Sequence, residues 1–231
     1  MEKPKDLSPQ LVQAFSERPL GLCGQHDPAR VVGEVVDLEQ RLRILTLGVV
    51  LDINPLSEER WSTLVGVAGN WLLDPSQVAY RSAQEALTAM QEIRIQSPQH
   101  IPRVWWQICR GVQGRFQGSW SSLLASNRND ALAVQKYLEQ NKTTFPVLAG
   151  PVISARWLDL VHRVGGVSLQ NWESLTVPLT ARQKRIARQL GIETDDVHPL
   201  LSSALGTWAT ACQGYPDDSC GFSVCPKRDN L

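Results

Sequence analysis

Apolar residues in this chain recur predominantly at spacings of three and four. That periodicity restricts the chain to helices packed on helices. Asp27-Pro28 opens the first stripe, which runs through Val31, Val35, Leu38, Leu42 and Leu45 until Asn54-Pro55 breaks it. Ser57 before Glu58 and Glu59 reads as an N-cap with acids in the first turn, predicting a helix to about Leu73. Asp74-Pro75-Ser76 starts the next, to about Ile95, and Ser97-Pro98 marks a boundary. Beyond it Val104, Ile108 and Val112 share a face beside Trp105, Trp106 and Cys109, with Gly111, Gly114 and Gly118 expected to break the segment into turns. Shorter helices are predicted at about 119–125 and 128–141. A helix over about 151–164 turns Ile153, Trp157, Leu160, Val161 and Val164 inward and Arg156, Asp159 and Arg163 outward, and Gly165-Gly166 ends it. Pro178 opens another, to Gly191, with Leu179, Ile186 and Leu190 buried and Arg182, Arg185 and Arg188 opposite. The last helix starts near Pro199 and ends near Cys212. No pair of alternating strands is visible, so the expected fold class is all-α. It divides into an N-terminal helical region 1–97, a core 98–211 and a cysteine-containing tail 212–231.

The chain's 231 residues, 42% hydrophobic and 20% charged, suffice for a sizeable core and exclude wholesale disorder. The most apolar stretch, Leu45 to Leu51, falls far short of the roughly 20 residues a membrane span needs. The polar start Met1-Glu2-Lys3-Pro4-Lys5-Asp6 lacks the apolar segment of a secretory signal, so the expected location is cytoplasmic (nucleoid-associated) or nuclear. Five cysteines, an odd number in a chain of this size, argue against a disulfide framework. The phosphate-binding, dinucleotide-binding, zincin and serine-hydrolase motifs are all missing, which removes those function classes.

A net charge of zero conceals a basic middle. Residues 101–192 hold 12 Lys/Arg against 4 Asp/Glu, whereas 1–100 hold 9 against 13 and 193–231 hold 2 against 6. Such asymmetry fits a polyanion-binding face, and it fits equally a segment that neutralises the acidic ends through internal contacts.

Two features of the basic middle belong together. Leu148-Ala149-Gly150-Pro151-Val152-Ile153-Ser154-Ala155 reads as a helix, a tight glycine turn and a second helix N-terminus. Its backbone N–H groups and helix dipole would make a phosphate site, with Gly150, Val152, Ser154 and Arg156 as the DNA-contacting residues. The basic helix follows some thirty residues later, adding Arg182, Lys184 and Arg185. Over about residues 100–225 the chain resembles the helix-hairpin-helix DNA glycosylase (endonuclease III-like) superfamily. That family carries a hairpin L-P-G-[VI]-G-x-x-[TS]-A and a later helix V-D-T-H-V-x-R-[VI]-x-x-R-L-G, which this chain matches at Arg185, Ile186, Leu190 and Gly191. The resemblance implies a helix-hairpin-helix glycosylase-like helical core with an N-terminal helical extension. It implies duplex DNA, with an intact or a damaged base, as the partner.

The departures from the family bear on chemistry. Aligned on Gly191, Thr180 stands at the position of the catalytic aspartate, and threonine cannot stabilise an oxocarbenium-like transition state. The hairpin has one glycine where the family usually has two, and no lysine occurs in 148–165 to form a Schiff base. Asp159, or Asp195 and Asp196, are the candidates for a relocated carboxylate, with Asp159 expected on a solvated face. Many family members end in an iron–sulfur loop C-x6-C-x2-C-x5-C. Here Cys212-x7-Cys220-x4-Cys225 follows the last helix, so an iron–sulfur cluster, or a Cys3His zinc site completed by His198, stands beside the reading of three reduced thiols. Trp105, Trp106 and Trp157 read as core residues, Trp120 as the best exposed candidate for a base wedge, and His162 as structural or solvent-facing. The expected function is DNA binding of the base-excision glycosylase type without the usual catalytic aspartate. The alternatives are an active DNA repair glycosylase with a relocated carboxylate and a non-enzymatic helical protein-interaction module.

Overall fold

The computed structural model describes residues 31–51, 58–93, 95, 99–189, 192–199, 201–202 and 205. Asp37 starts the first long helix, α1 (Leu38–Val50), by accepting the Gln40 N–H at 2.7 Å. That cap divides the helix expected from residue 28 onward. Residues 33–37 are turn and coil, and Val36 is left 95% exposed. Helix α2 (Glu58–Gly66) is shorter than expected, because residues 67–70 form turns and only Trp71–Leu73 winds again, as a 3-10 turn capped by Asn70. The helix expected over 74–95 is two helices. Asp74 caps α3 (Pro75–Val78), and Ser82 with Glu85 forms a reciprocal capping box on α4 (Ala83–Glu92).

Helix α5 (Ile101–Phe116) runs unbroken through Gly111 and Gly114, contrary to the turns expected there, and stops at Gln117 and Gly118, both with positive φ. Then come α6 (Trp120–Ser126), α7 (Ala131–Gln140) and α8 (Pro151–Arg163), close to the bounds the sequence suggests. A 3-10 turn, Trp172–Ser174, precedes β1 (Val177–Pro178). Pro178 therefore sits in a strand and not at a helix start. Helix α9 (Ala181–Gln189) follows, and β2 (Asp196–Val197) pairs antiparallel with β1, Val177 opposite Val197. Among the described residues this two-residue ladder and an isolated bridge between Asp130 and Gln170 are the only extended pairings in a mostly helical fold. Pro199, Leu201, Ser202 and Leu205 are helical, as expected for the last helix, whose remaining residues lie outside the described set.

One core runs from Val32 to Val177, so residues on both sides of position 97 share it. Helix α5 packs on α3, α4 and α6, while α8 packs on α1 and α7. Trp61, Trp105, Trp120 and Trp157 are fully buried. Trp105 and Trp120 stack with ring centroids 6.5 Å apart, and Trp157 meets Trp120 edge-on at 5.8 Å. Trp105 Nε1 donates to Leu72 O at 2.7 Å, and Trp157 Nε1 to Thr46 Oγ1 at 2.9 Å. Glu39 on α1 reaches across to cap α6, accepting the N–H groups of Trp120 at 2.5 Å and Ser121 at 3.1 Å. Such a cap joins residues about eighty positions apart and is invisible to a local reading.

Gly48 of α1 lies directly against Trp61 of α2, and a Cβ there would overlap the indole. Gly48→Ala gains about 1 kcal/mol of helix propensity. Overpacking against an immobile buried ring costs about 1–3 kcal/mol. The expected result is a net loss of stability in denaturant unfolding. An unfolding midpoint at or above the parent's would mean that Trp61 repacks freely.

Candidate nucleic-acid interface

The segment expected to form a helical hairpin is built differently. Helix α7 stops at Gln140, and residues 141–150 are successive turns leading into α8. Asn141 closes α7 by donating its side-chain amide to Tyr137 O at 2.8 Å. Arg115 holds the turns against α5 through Tyr137 Oη at 3.0 Å, Asn141 Oδ1 and Thr144 Oγ1 at 3.3 Å, and Gln107 bonds Thr143 O. The left-handed residue is Val147 at φ 67°, not Gly150, which is extended at φ −66° and ψ 133°. No helix therefore precedes Leu148 directly, and the turn does not demand glycine at 150. Gly150 is nevertheless the N-cap of α8 and has no side-chain capping bond. Pro151 supplies no N–H, so the first-turn donors are Val152 and Ile153, both half-buried. Ser154 is fully buried, its hydroxyl donating to Pro151 O at 3.1 Å and accepting from Gln135 Nε2 at 3.2 Å, so it is no DNA-contacting residue. Arg156 is half-buried on the next turn.

Thr180, at the family's aspartate position, is the N-cap of α9. Gln183 N–H donates to Thr180 Oγ1 at 3.3 Å, while Thr180 N–H donates to Gln183 Oε1 at 2.8 Å. This is a Thr-x-x-Gln capping box, whose spacing is legible in the sequence. The other end of Gln183 donates to Ser202 O at 2.7 Å, tying α9 to the segment after β2. Leu179, Gln183 and Ala187 are the buried face, while the side chains of Ile186 and Leu190 lie outside the described residues. Arg182, Arg185 and Arg188 are exposed on the opposite side, as their spacing suggests. Lys184 is not part of that stripe: its ammonium bonds Asp195 at 2.8 Å and holds that carboxyl below its ordinary pKa. Asp196 is exposed in the ladder.

Asp159 overturns the expectation of a solvated carboxylate, since it is only 3% exposed. Arg163 grips both its oxygens, Nε to Oδ1 at 2.9 Å and Nη2 to Oδ2 at 2.6 Å. Trp172 Nε1 donates to Oδ1 at 3.2 Å. His162 stacks on Trp172 with centroids 4.5 Å apart, its Nδ1 accepting the Leu169 N–H at 3.1 Å. His198 meets the same indole edge-on at 4.5 Å, and its Nε2 lies 3.2 Å from Trp172 O. Burial pushes both imidazoles below their ordinary pKa, with Asp159 opposing. The cluster locks the 3-10 turn and the chain after β2 onto α8. Both oxygens of Asp159 are engaged within it.

Trp120, the expected wedge, is fully buried, and Trp106 is half-buried at the edge of the core. Cys212, Cys220 and Cys225 lie outside the described residues. His198 is buried in the aromatic cluster with Nε2 3.2 Å from Trp172 O. Among the described residues no group of three metal-ligating side chains comes together, and no helix is long and apolar enough to cross a membrane. No family model, no curated protein and no solved structure matches the chain.

Proposed function

We propose that the chain is a nucleic-acid-binding protein that grips duplex DNA through α9 without excising a base. The observation that carries this reading is the exposed row Arg182, Arg185 and Arg188, opposite a face anchored by Leu179, Gln183 and Ala187. An anchored helix presents guanidinium groups at fixed spacing, which suits successive phosphates of one strand. The Gly150 N-cap, with the Val152 N–H in its first turn, is the second phosphate contact in this reading. The helix-hairpin-helix resemblance supports it only in part, since the turns over 141–150 replace the first helix of the hairpin. Excision chemistry is left out because Thr180 is engaged as a cap and both oxygens of Asp159 are taken. The iron–sulfur or zinc site on Cys212, Cys220 and Cys225 stays a separate proposal, to be checked by metal analysis of the purified chain.

The test is a duplex titration at several salt concentrations. The double substitution Arg182→Ala and Arg185→Ala should weaken binding about equally on unrelated sequences. It should also reduce the log–log salt slope by about 2, roughly 0.9 per lost phosphate contact. An unchanged slope would remove α9 from the interface and leave an acidic protein surface as the stripe's partner.

A further inference from the structure

Helix α5 carries Arg103, Arg110 and Arg115 and no acidic residue in its 16 positions. Its outward ridge is Arg103, Gln107, Arg110 and Gly114, of which both arginines and the glycine are exposed. Flat aromatic and guanidinium surfaces are layered beside that ridge. The Arg110 guanidinium lies 4.8 Å from the centroid of the Trp106 ring. Trp106 is fixed in turn, because its Nε1 donates to Arg81 O at 2.6 Å. The Arg81 guanidinium lies 4.3 Å over the Trp71 ring. Next along the chain, Tyr80 is 83% exposed at the edge of an open depression of about 450 Å³. The acid in that depression, Glu85, is turned into the cap of α4, with Oε2 accepting from Ser82 N at 2.8 Å and Oε1 lying 3.6 Å from Arg81.

Two independent facts choose the ligand. A run of exposed arginines without acids attracts a polyanion. An aromatic ring left almost wholly in water, in a depression it shares with Arg81, suits the face of an unpaired base, since every base has a π-face and duplex bases hide theirs. An acidic peptide satisfies the first fact and not the second. We propose that the α5 ridge and Tyr80 bind single-stranded nucleic acid, with Arg103 and Arg110 on the phosphates and a base stacked on Tyr80. This surface does not involve α9 and goes beyond the duplex-binding reading.

The experiment is fluorescence polarisation of the full chain with a labelled oligothymidine of about 15 nucleotides, the upper end of a single-strand site. Heparin serves as a polyanion without bases. Tyr80→Ala is expected to weaken oligothymidine binding at least 5-fold, the lower end of one lost base stack, and to leave heparin binding unchanged. Arg103→Glu with Arg110→Glu should weaken both by more than 10-fold and lower the oligothymidine salt slope by about 1.4, roughly 0.7 per lost contact. All three side chains are exposed, so the thermal midpoints should stay at the parent value, a control read from the same samples. Tyr80→Ala lowering heparin binding as much as oligothymidine binding would overturn the stacking assignment. Parental oligothymidine affinity in all three α5-side substitutions would overturn the surface. Loss with Arg182→Ala and Arg185→Ala instead would move the strand to α9, leaving the duplex reading standing and this one not.

Discussion

Asp159→Ala is expected to destabilise the protein by about 3–5 kcal/mol, the usual consequence of removing one member of a buried ion pair. The pair qualifies, since the side chains of Arg163 and Asp159 are 10% and 4% exposed. Alanine would take the bidentate carboxylate from the buried Arg163 guanidinium and the Oδ1 acceptor from the Trp172 indole N–H. Because Trp172 is also the platform for His162 and His198, the 3-10 turn and the chain after β2 would lose their seat on α8. Each kcal/mol shifts the midpoint of a chain this long by about 2–4 °C, so the thermal transition should fall by roughly 10 °C. The double substitution Asp159→Met and Arg163→Met should recover most of the loss, because no charge is then left buried. A catalytic acid in an open pocket behaves otherwise: its removal abolishes activity and leaves the fold intact. An Asp159→Ala protein within about 1 kcal/mol of the parent would contradict the structural role assigned here.

Trp120→Ala is expected to cost a further, independent 3–5 kcal/mol, the range for truncating a fully buried aromatic side chain. The ring is fully buried and touches Trp105 and Trp157, so the deletion opens a void at the junction of α1, α5 and α6. The near-ultraviolet circular dichroism, to which this cluster contributes, should collapse in parallel. Trp120→Phe should lose much less, because the ring volume is mostly kept and the indole Nε1 has no hydrogen-bond partner among the described residues. Were Trp120 a wedge for unstacking bases, alanine would lower nucleic-acid affinity and spare stability. A stable Trp120→Ala chain with weakened binding would restore that reading.

The contrast between Trp120 and Tyr80 shows where local reasoning stops. Trp120 follows Gln117-Gly118-Ser119, a polar stretch that suggests exposure, yet it is buried because α1 folds over it and Glu39 caps its helix. Tyr80 stands in no motif or stripe of the sequence and is among the most exposed large hydrophobic residues described. Asp159 lies on the polar side of α8 by periodicity, but that side is covered by Trp172 and His198. The glycines of α5 mislead in the other direction. Each costs a lone helix about 1 kcal/mol. The helix persists because α3, α4 and α6 pack along it.

The amino-acid sequence by itself determined the helical class, the positions of α6, α7 and α8, and the outward row of arginines on α9. These follow from spacing and capping, which act within a few residues. Tertiary structure alone decided the turns at 141–150 where a helix is expected, the pairing of Lys184 with Asp195, and the burial of Asp159, Ser154 and Trp120. The physical reason is that a side chain's exposure, and whether its charge is spent, depend on which distant segment is laid against it. In a chain whose core joins Val32 to Val177, no local window contains that segment.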